Sequence, residues 1–140
     1  MVDRFEAGIE ADGFGLWAVE ERSSGVLLGA TGLNRVGFAA PFVPAVEVGW
    51  RFVRAAWGQG FATEAAGAAL SFGFDVAGLD EIVAMAVPHN ERSLAVMDRL
   101  GMQRDPDGDF DHPRVPVGPL RRHVLYRIDA PAWRERGRSP

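Results

Sequence analysis

The stretch VEVGWRFVRAAWGQGFATEAA, residues 46–66, constrains the fold more than any other part of this sequence. Its first eight residues alternate between two faces, with Glu47 opposite its apolar neighbours, and this pattern predicts a β-strand. The small and apolar residues from Phe61 onward predict a helix. Between them stand Gly58 and Gly60, which cost backbone entropy that alanine would not, so this turn is expected to need bare backbone.

The other predicted elements lie around this segment, with no internal repeat or linker. A hairpin is predicted before it, and a buried strand, a helix and a closing strand after it. Asn90 is the predicted N-cap of the second helix, and Gly101 its C-terminal stop. The order is therefore β-β-β-α-β-α-β in one α+β domain over residues 1–140. The predicted strands are 14–20, 25–33, 46–53, 81–87 and 121–128, the helices are 61–77 and 90–101, and a long excursion covers 102–120.

Composition excludes several kinds of chemistry. The 140 residues contain no cysteine, which removes disulfides, thiolate nucleophiles and cysteine-ligated metals. All 15 basic residues are arginine, so neither a Schiff-base lysine nor a P-loop lysine is available. The net charge of -4 disfavours nucleic acid as a partner. No apolar run is long enough to span a membrane, and the first residues carry acids where a signal peptide has bases, so a cytoplasmic protein is expected.

The Gly-x-Gly turn has two interpretations when it is considered alone. The first N–H groups of a helix have no intrahelical partner, and together with the helix dipole they can bind an anion such as a phosphate. The alternative is that the two glycines only make a tight strand-to-helix turn. A dinucleotide-binding fingerprint is excluded because its third glycine is missing.

Three segments together resemble the GCN5-related N-acetyltransferases, in particular the branch of the ribosomal-protein alanine N-acetyltransferases. They are EVGWRFVRAAWGQGFATEAA, VPHNERSLAVMDRLGM and RRHVLYRI, and the resemblance covers roughly residues 14–130. It implies a mixed, mostly antiparallel sheet with two main helices and a splayed cleft for acetyl-CoA. Trp57 stands where the family usually has Gln or Arg. The resemblance assigns the pyrophosphate to Gly58, Gln59, Gly60, Phe61, Ala62 and Thr63, and the pantetheine arm to the backbone of Trp50, Arg51 and Phe52.

Asn90 and Ser93 form an Asn-x-x-Ser unit at the start of the second predicted helix. From the residues alone, this unit is a helix cap. The resemblance implies in addition that Asn90 bonds the pantetheine and that Ser93 donates to the departing CoA thiolate. Many members of the family have a tyrosine for that task further along the helix, where this chain has Met97, which has no proton to donate.

A general base is needed to accept the proton of an attacking amine. Glu47, on the strand that borders the predicted cleft, is the first candidate, and His112 in the long excursion is the second. The alternatives are an exposed strand acid with no task and an incidental loop histidine. The chain's histidines are scattered without the ligand spacing of a zinc site, so no metal is expected.

The predicted function is direct transfer of an acetyl group from acetyl-CoA to a primary amine. The acceptor is a small-molecule amine or a protein N-terminus, and no acyl-enzyme is expected because there is no cysteine and Ser93 has no base visible in the sequence. The alternative is a non-catalytic acyl-CoA-binding module.

The segment before the hairpin is short for this family. About thirteen residues precede it, so the family's first strand and most of its following helical pair are expected to be missing. The strand at 14–20 would then be an unpaired edge with Leu16, Trp17 and Val19 beside it, and such an edge pairs readily with another chain. A homodimer is predicted on this basis.

Overall fold

The computed structural model describes residues 2–5 and 15–138, and the side chains of residues 15–136. A 3₁₀ turn at Arg54–Ala56 separates the fourth strand from the first helix. The strands are β1 (Val2–Phe5), β2 (Leu16–Glu20), β3 (Leu27–Arg35), β4 (Val46–Phe52), β5 (Glu81–Ala86), β6 (Gln103–Arg104), β7 (Phe110–Asp111) and β8 (Arg122–Asp129), and the helices are α1 (Phe61–Asp75), α2 (Glu91–Arg99) and α3 (Ala130–Arg138).

The strands form a mixed sheet in the order β1-β2-β3-β4-β5-β8-β6, with β7 paired to β8. The pairs β1–β2, β2–β3, β5–β8, β6–β8 and β7–β8 are antiparallel. β4 and β5 are parallel, and their register consists of the pair Glu47–Val83. The predicted mixed, mostly antiparallel sheet is confirmed.

Contacts divide the chain into two compact units. The first contains Met1–Asn34 and Val48–Leu79, and the second contains Arg35–Glu47 and Asp80–Pro140.

The core of the first unit is built on the small residues of α1. Ala65, Ala66 and Ala69 are fully buried, and they let the helix backbone approach its neighbours closely. Trp17 of β2 is only 4% exposed, and its ring meets the edge of Phe72 of α1 at a centroid distance of 5.3 Å. The alanine-rich pattern that predicted this helix is therefore also the pattern of its buried face.

Two contacts with the backbone of β4 fix β3 against it in the first unit. The hydroxyl of Thr31, a fully buried polar residue, donates to the carbonyl of Gly49 at 2.7 Å. A Cβ atom on Gly29 would overlap the carbonyl oxygen of Arg51, so the two strands approach there to a distance that only glycine permits.

The core of the second unit lies along β5 and β8, whose register runs from Glu81–Asp129 to Ala86–Val124. Val96 and Met97 of α2 are buried. A distinct cluster of Val36, Val83 and Leu125 has further apolar residues packed against it: Phe38, Phe42, Val43, Ala45 and Met85.

The prediction of an unpaired edge at residues 14–20 is wrong. The four residues of β1 pair antiparallel with β2 in a register that includes Phe5–Trp17. Trp17 and Val19 are buried, while Leu16 is 43% exposed. β1 therefore covers the edge on which the predicted homodimer depended. The helical pair expected after the family's first strand would fall on residues 6–14, outside the described residues.

The prediction of two main helices is also incomplete, because α3 follows β8. The carboxylate of Asp129 accepts from the backbone N–H of Ala132 at 2.9 Å, which caps this helix. Within the predicted excursion, β6 and β7 each contribute two residues to pairing with β8. No described helix has the length and apolar character to cross a membrane.

Candidate functional site

The turn between β4 and α1, in the first unit, has left-handed backbone at two positions. Gly58 has φ +76° and Gly60 has φ +82°, and a Cβ at either position would meet no atom within 4 Å. Gly60 is the N-cap of α1, and no side chain caps the helix. The first N–H groups of α1 therefore follow a turn with open space around its glycines. They lie at the positive end of the helix dipole.

Thr63, in the first turn of α1, carries a polar atom that lacks a partner. Its hydroxyl oxygen is buried and makes no hydrogen bond within the described part of the chain. A buried hydroxyl without a partner costs about 1–3 kcal/mol. An anion seated at this helix start would supply the missing acceptor, so the hydroxyl and the bare turn fit the same kind of ligand.

The turn is held by its own hydrogen bonds. The backbone N–H of Trp57 donates to the carbonyl of Arg54 at 3.1 Å, and the side-chain amide of Gln59 donates to the carbonyl of Ala55 at 2.7 Å. The Gln59 side chain therefore holds the turn, and only the backbone N–H of Gln59 remains for the predicted contact with a ligand.

The backbone predicted to hold a pantetheine arm lies at the end of β4, in the same unit. The side chains of Trp50 and Phe52 are half-buried, and that of Arg51 is exposed. The carbonyl of Phe52 accepts a hydrogen bond from the indole of Trp57 at 3.1 Å. One of the backbone groups predicted for the pantetheine therefore already has a side-chain donor.

In the second unit, the Asn-x-x-Ser segment makes the expected cap. The side-chain oxygen of Asn90 accepts from the backbone N–H of Ser93 at 3.2 Å. The hydroxyl of Ser93 takes no part in the cap and makes no hydrogen bond within the described residues, and the side chain is half-buried. Met97, one turn further, is buried in the core, so no proton donor stands at that position.

Glu47 lies in β4, opposite Val83 of β5, in the second unit. Its side chain is half-buried, and burial raises the pKa of its carboxyl group above the ordinary value. No ion pair or hydrogen bond to this carboxylate is formed among the described residues. Glu47 is therefore a poorly solvated carboxylate, which is a better proton acceptor than an exposed one.

His112, the second candidate base, is packed among aromatic rings. Its ring centroid lies 4.3 Å from that of Phe38 and 5.1 Å from that of His123. Burial, followed by the charges of His123 and Arg114, lowers the pKa of His112. Its Nδ1 accepts from the backbone N–H of Arg114 at 3.2 Å, which assigns the proton of the neutral ring to Nε2. Neither nitrogen is then a ready acceptor, and this arrangement favours Glu47.

Sequence reasoning missed the aromatic cluster that surrounds His112. The rings of Phe42 and Phe110 meet at 5.0 Å, and those of Phe38 and Phe110 stack at 6.1 Å. Arg114 lies over Phe38 and donates to the carbonyl of Gly37. These residues come from the loop before β4 and from the excursion, neither of which has a periodic pattern that predicts contact.

A charged network lies elsewhere in the second unit, along β5, β6 and β8. Arg127 contacts Glu81 at 2.9 Å and Asp105 at 3.0 Å. The hydrogen bond from Arg127 is the main cause that lowers the pKa of Asp105. This network links β8 to the start of β5 and to the residue that follows β6, so its role is structural. No group of three or more His, Asp or Glu side chains that could hold a metal ion occurs in the described ranges.

Comparisons with known proteins concern the family and the fold of this chain. The family model for the Acetyltransferase (GNAT) domain matches residues 1–103. The protein therefore belongs to the GNAT acetyltransferase family, as the sequence segments predicted. The uncharacterized protein YkkB of Bacillus subtilis (strain 168) is 34% identical over 90 residues, which are 64% of this chain and 51% of that protein. This chain thus spans about half the length of that relative.

Two solved structures share the fold. Ribosomal-protein-S5-alanine acetyltransferase from Vibrio fischeri matches with a TM-score of 0.72 and 19% identity, over 90% of this chain and 67% of that one. The structure of yncA from Salmonella typhimurium with its cofactor acetyl-CoA matches with a TM-score of 0.71 and 17% identity, over 88% of this chain and 68% of that one. At these identities the likeness concerns the fold alone.

Proposed function

We propose that this protein transfers an acetyl group from acetyl-CoA to a primary amine. The observation that carries the proposal is the β4–α1 turn, in which two left-handed glycines precede an uncapped helix start with an unpartnered Thr63 hydroxyl. Membership of the GNAT family supports it, as does the bound acetyl-CoA of the yncA structure.

The β4–α1 turn is proposed to hold the diphosphate of acetyl-CoA. Backbone N–H groups of residues 58–63 would donate to it, and the Thr63 hydroxyl would find its acceptor there. The backbone of residues 50–52 is proposed for the pantetheine arm, with the Phe52 carbonyl already bonded to the indole of Trp57.

The chemical steps are assigned to residues of the second unit. Bound acetyl-CoA supplies an activated thioester carbonyl. Asn90 is proposed to bond the pantetheine, Ser93 to donate to the departing thiolate, and Glu47 to accept the proton of the attacking amine. Support comes from the Ser93 hydroxyl, which the helix cap leaves available, and from the poorly solvated Glu47 carboxylate. His112 is the alternative base.

Replacement of Thr63 by Val tests the proposed diphosphate site through two opposite effects. The free protein is expected to gain about 1 kcal/mol of stability, because a buried hydroxyl without a partner is removed. CoA is expected to bind roughly 10-fold more weakly, because a hydrogen bond to a charged group is lost. Thermal unfolding and isothermal titration measure the two effects.

Thr63→Ser is the matched control, since it keeps the hydroxyl and should keep the affinity. An unchanged CoA affinity in Thr63→Val would contradict the proposed contact. Gly60→Val, which would fill the space proposed for the diphosphate, is a weaker test. At φ +82° a valine is strained, so a loss of binding would not separate strain from occupied space.

Catalysis is tested by release of CoA thiol with a panel of amines, including small-molecule amines and peptides with a free N-terminus. Thiol release that depends on an amine supports acetyl transfer. CoA binding without thiol release from any amine would instead support the non-catalytic acyl-CoA-binding module.

Further expectations belong to this proposal. We propose that residues 1–140 act as one acetyltransferase domain in the cytoplasm, with no nucleic-acid or membrane partner. A homodimer stays a prediction, and it no longer has an unpaired β2 edge as its support. Light scattering at micromolar concentration measures the oligomeric state.

A further inference from the structure

The two histidines of the aromatic cluster in the second unit are bonded to the backbone in their neutral form. The Nδ1 of His112 accepts from the backbone N–H of Arg114 at 3.2 Å, so the proton of this ring is on Nε2. The Nδ1 of His123 lies 2.9 Å from the carbonyl oxygen of Arg121. Because a carbonyl oxygen can only accept, this Nδ1 carries the proton, and the Nε2 of His123 keeps its lone pair. Any further proton must enter that lone pair or replace the bond from Arg114.

The surroundings of the pair disfavour a positive charge. The two rings lie 5.1 Å apart, and the ring of His112 lies 4.3 Å from that of Phe38. The guanidinium of Arg114 stands over the same Phe38, 5.8 Å from its centroid. Burial, and then the charges of His123 and Arg114, accordingly lower the pKa of His112.

No unpaired carboxylate balances a positive charge within the described segments that build the cluster. Their sequence contains one acid, Asp111 of β7, and Arg122 of β8 pairs with it at 3.4 Å. The β3–β4 loop, residues 36–45, contains no charged residue. Glu47 of β4 lies opposite Val83, and the charges that act on His112 are those of His123 and Arg114.

The His112 segment connects the β3–β4 loop to the excursion, which is distant in the sequence. His112 packs on Phe38 of the loop, and Arg114 donates to a backbone carbonyl of the same loop. The base of the loop is closed by a bond from the N–H of Val36 to the carbonyl of Ala45 at 2.9 Å. The strand β4 begins at the next residue. Whatever separates the loop from the excursion therefore also loosens the start of β4.

We propose that His112 and His123 form an acid-sensitive latch, which holds the β3–β4 loop against the excursion while both rings are neutral and releases it when the pair takes up a proton. A charged His112 is solvated only by leaving the rings of Phe38 and Phe110. Release of the loop then loosens the segment just before Glu47. The latch belongs to the fold and does not depend on the proposed function.

Hydrogen exchange of the wild type tests the latch at about pH 7.5 and pH 5.5, on either side of the ordinary histidine pKa. Within the loop, the N–H of Val43 donates to the carbonyl of Ala40 at 3.1 Å. After correction for intrinsic rates, this amide should exchange roughly 3- to 10-fold faster at the lower pH, because the open loop binds a proton more readily than the closed one. The amides of α1, in the first unit, should show no such change.

The double variant His112→Phe/His123→Phe keeps two aromatic rings and cannot be protonated, so the acceleration should be absent. His89→Asn, at an exposed histidine before α2, is the matched control and should retain it. A loop whose corrected exchange is the same at both pH values in the wild type would overturn the latch. So would an acceleration that persists in the double variant.

Thermal unfolding provides a second measurement. Burial lowers the pKa of His112 in the folded protein, so its contribution to stability is full above the ordinary histidine pKa and is lost as the pH falls below it. Between the same two pH values, the thermal midpoint of the wild type should fall by roughly 2–4 °C more than that of the double variant. Equal changes in the two proteins would contradict the latch. None of these measurements involves CoA, so a failed latch is distinguishable from a failed acetyltransferase proposal.

Discussion

Replacement of Glu47 by Gln should lower kcat by about 100- to 10,000-fold, the range for loss of a general base. The same variant should be more stable than the wild type at neutral pH. Burial raises the pKa of the Glu47 carboxyl, so the folded protein holds this proton at pH values where the unfolded chain has lost it. The contribution of Glu47 to stability is therefore full below the ordinary carboxyl pKa and is lost as the pH rises through the raised value. Gln at position 47 is neutral at every pH, so it removes this loss of stability at neutral pH.

The pH dependence separates this role from a structural one. The acid limb of kcat/KM for the wild type should follow the raised pKa of Glu47, with activity falling as the pH falls through it, and the limb should be absent in Glu47→Gln. The stability gain should vanish as the pH falls below the ordinary carboxyl pKa, where Glu47 is protonated in both the folded and the unfolded chain. Glu20→Gln, at another half-buried strand acid, is the control and should leave kcat unchanged. A normal kcat in Glu47→Gln together with a large loss in His112→Ala would move the base to His112.

Replacement of Ser93 by Ala should lower turnover by roughly 10- to 1000-fold, the effect of losing one proton donor to the leaving group. The affinity for CoA and the thermal stability should change little. The reason is that the cap of α2 uses the backbone N–H of Ser93, which alanine retains, and the side chain of Asn90. Steady-state kinetics, calorimetry and thermal unfolding provide the three measurements.

Asn90 provides the contrasting variants. Asn90→Ala should cost about 1 kcal/mol of stability through loss of the cap. Asn90→Asp keeps a good cap and should keep the stability, while it changes the group proposed to bond the pantetheine. A Ser93→Ala protein that loses stability and activity in the same proportion would contradict the proposed proton donor and leave only the capping role.

The sequence predicted the elements whose signals are local. α2 begins after Asn90, whose side chain caps the first turn. It ends before Gly101, whose φ of +85° does not continue a helix. β4 followed from alternation, and the β4–α1 turn from its glycines. α3 also had a local signal that was overlooked, since Asp129 at the N-cap and Pro131 in the first turn are typical of a helix start.

The remaining features depend on contacts between distant segments. β1 has four residues, and β6 and β7 have two each, so none is long enough for a pattern. Each is a strand because its partner, β2 or β8, offers a free edge. The aromatic cluster around His112 likewise joins two loops, and only the fold brings Phe38 and Phe110 together.

The close approach of Gly29 to Arg51 affects how a mutational scan of this protein should be interpreted. Any side chain at position 29 would push against the Arg51 carbonyl and displace the end of β4. Position 29 would then score as a CoA-binding residue in a survey of variants, although its role is to set the position of another strand. Its intolerance would be uniform across all replacements, from alanine to tryptophan. At Thr63, the proposed contact residue, tolerance should instead depend on whether the replacement keeps a hydroxyl.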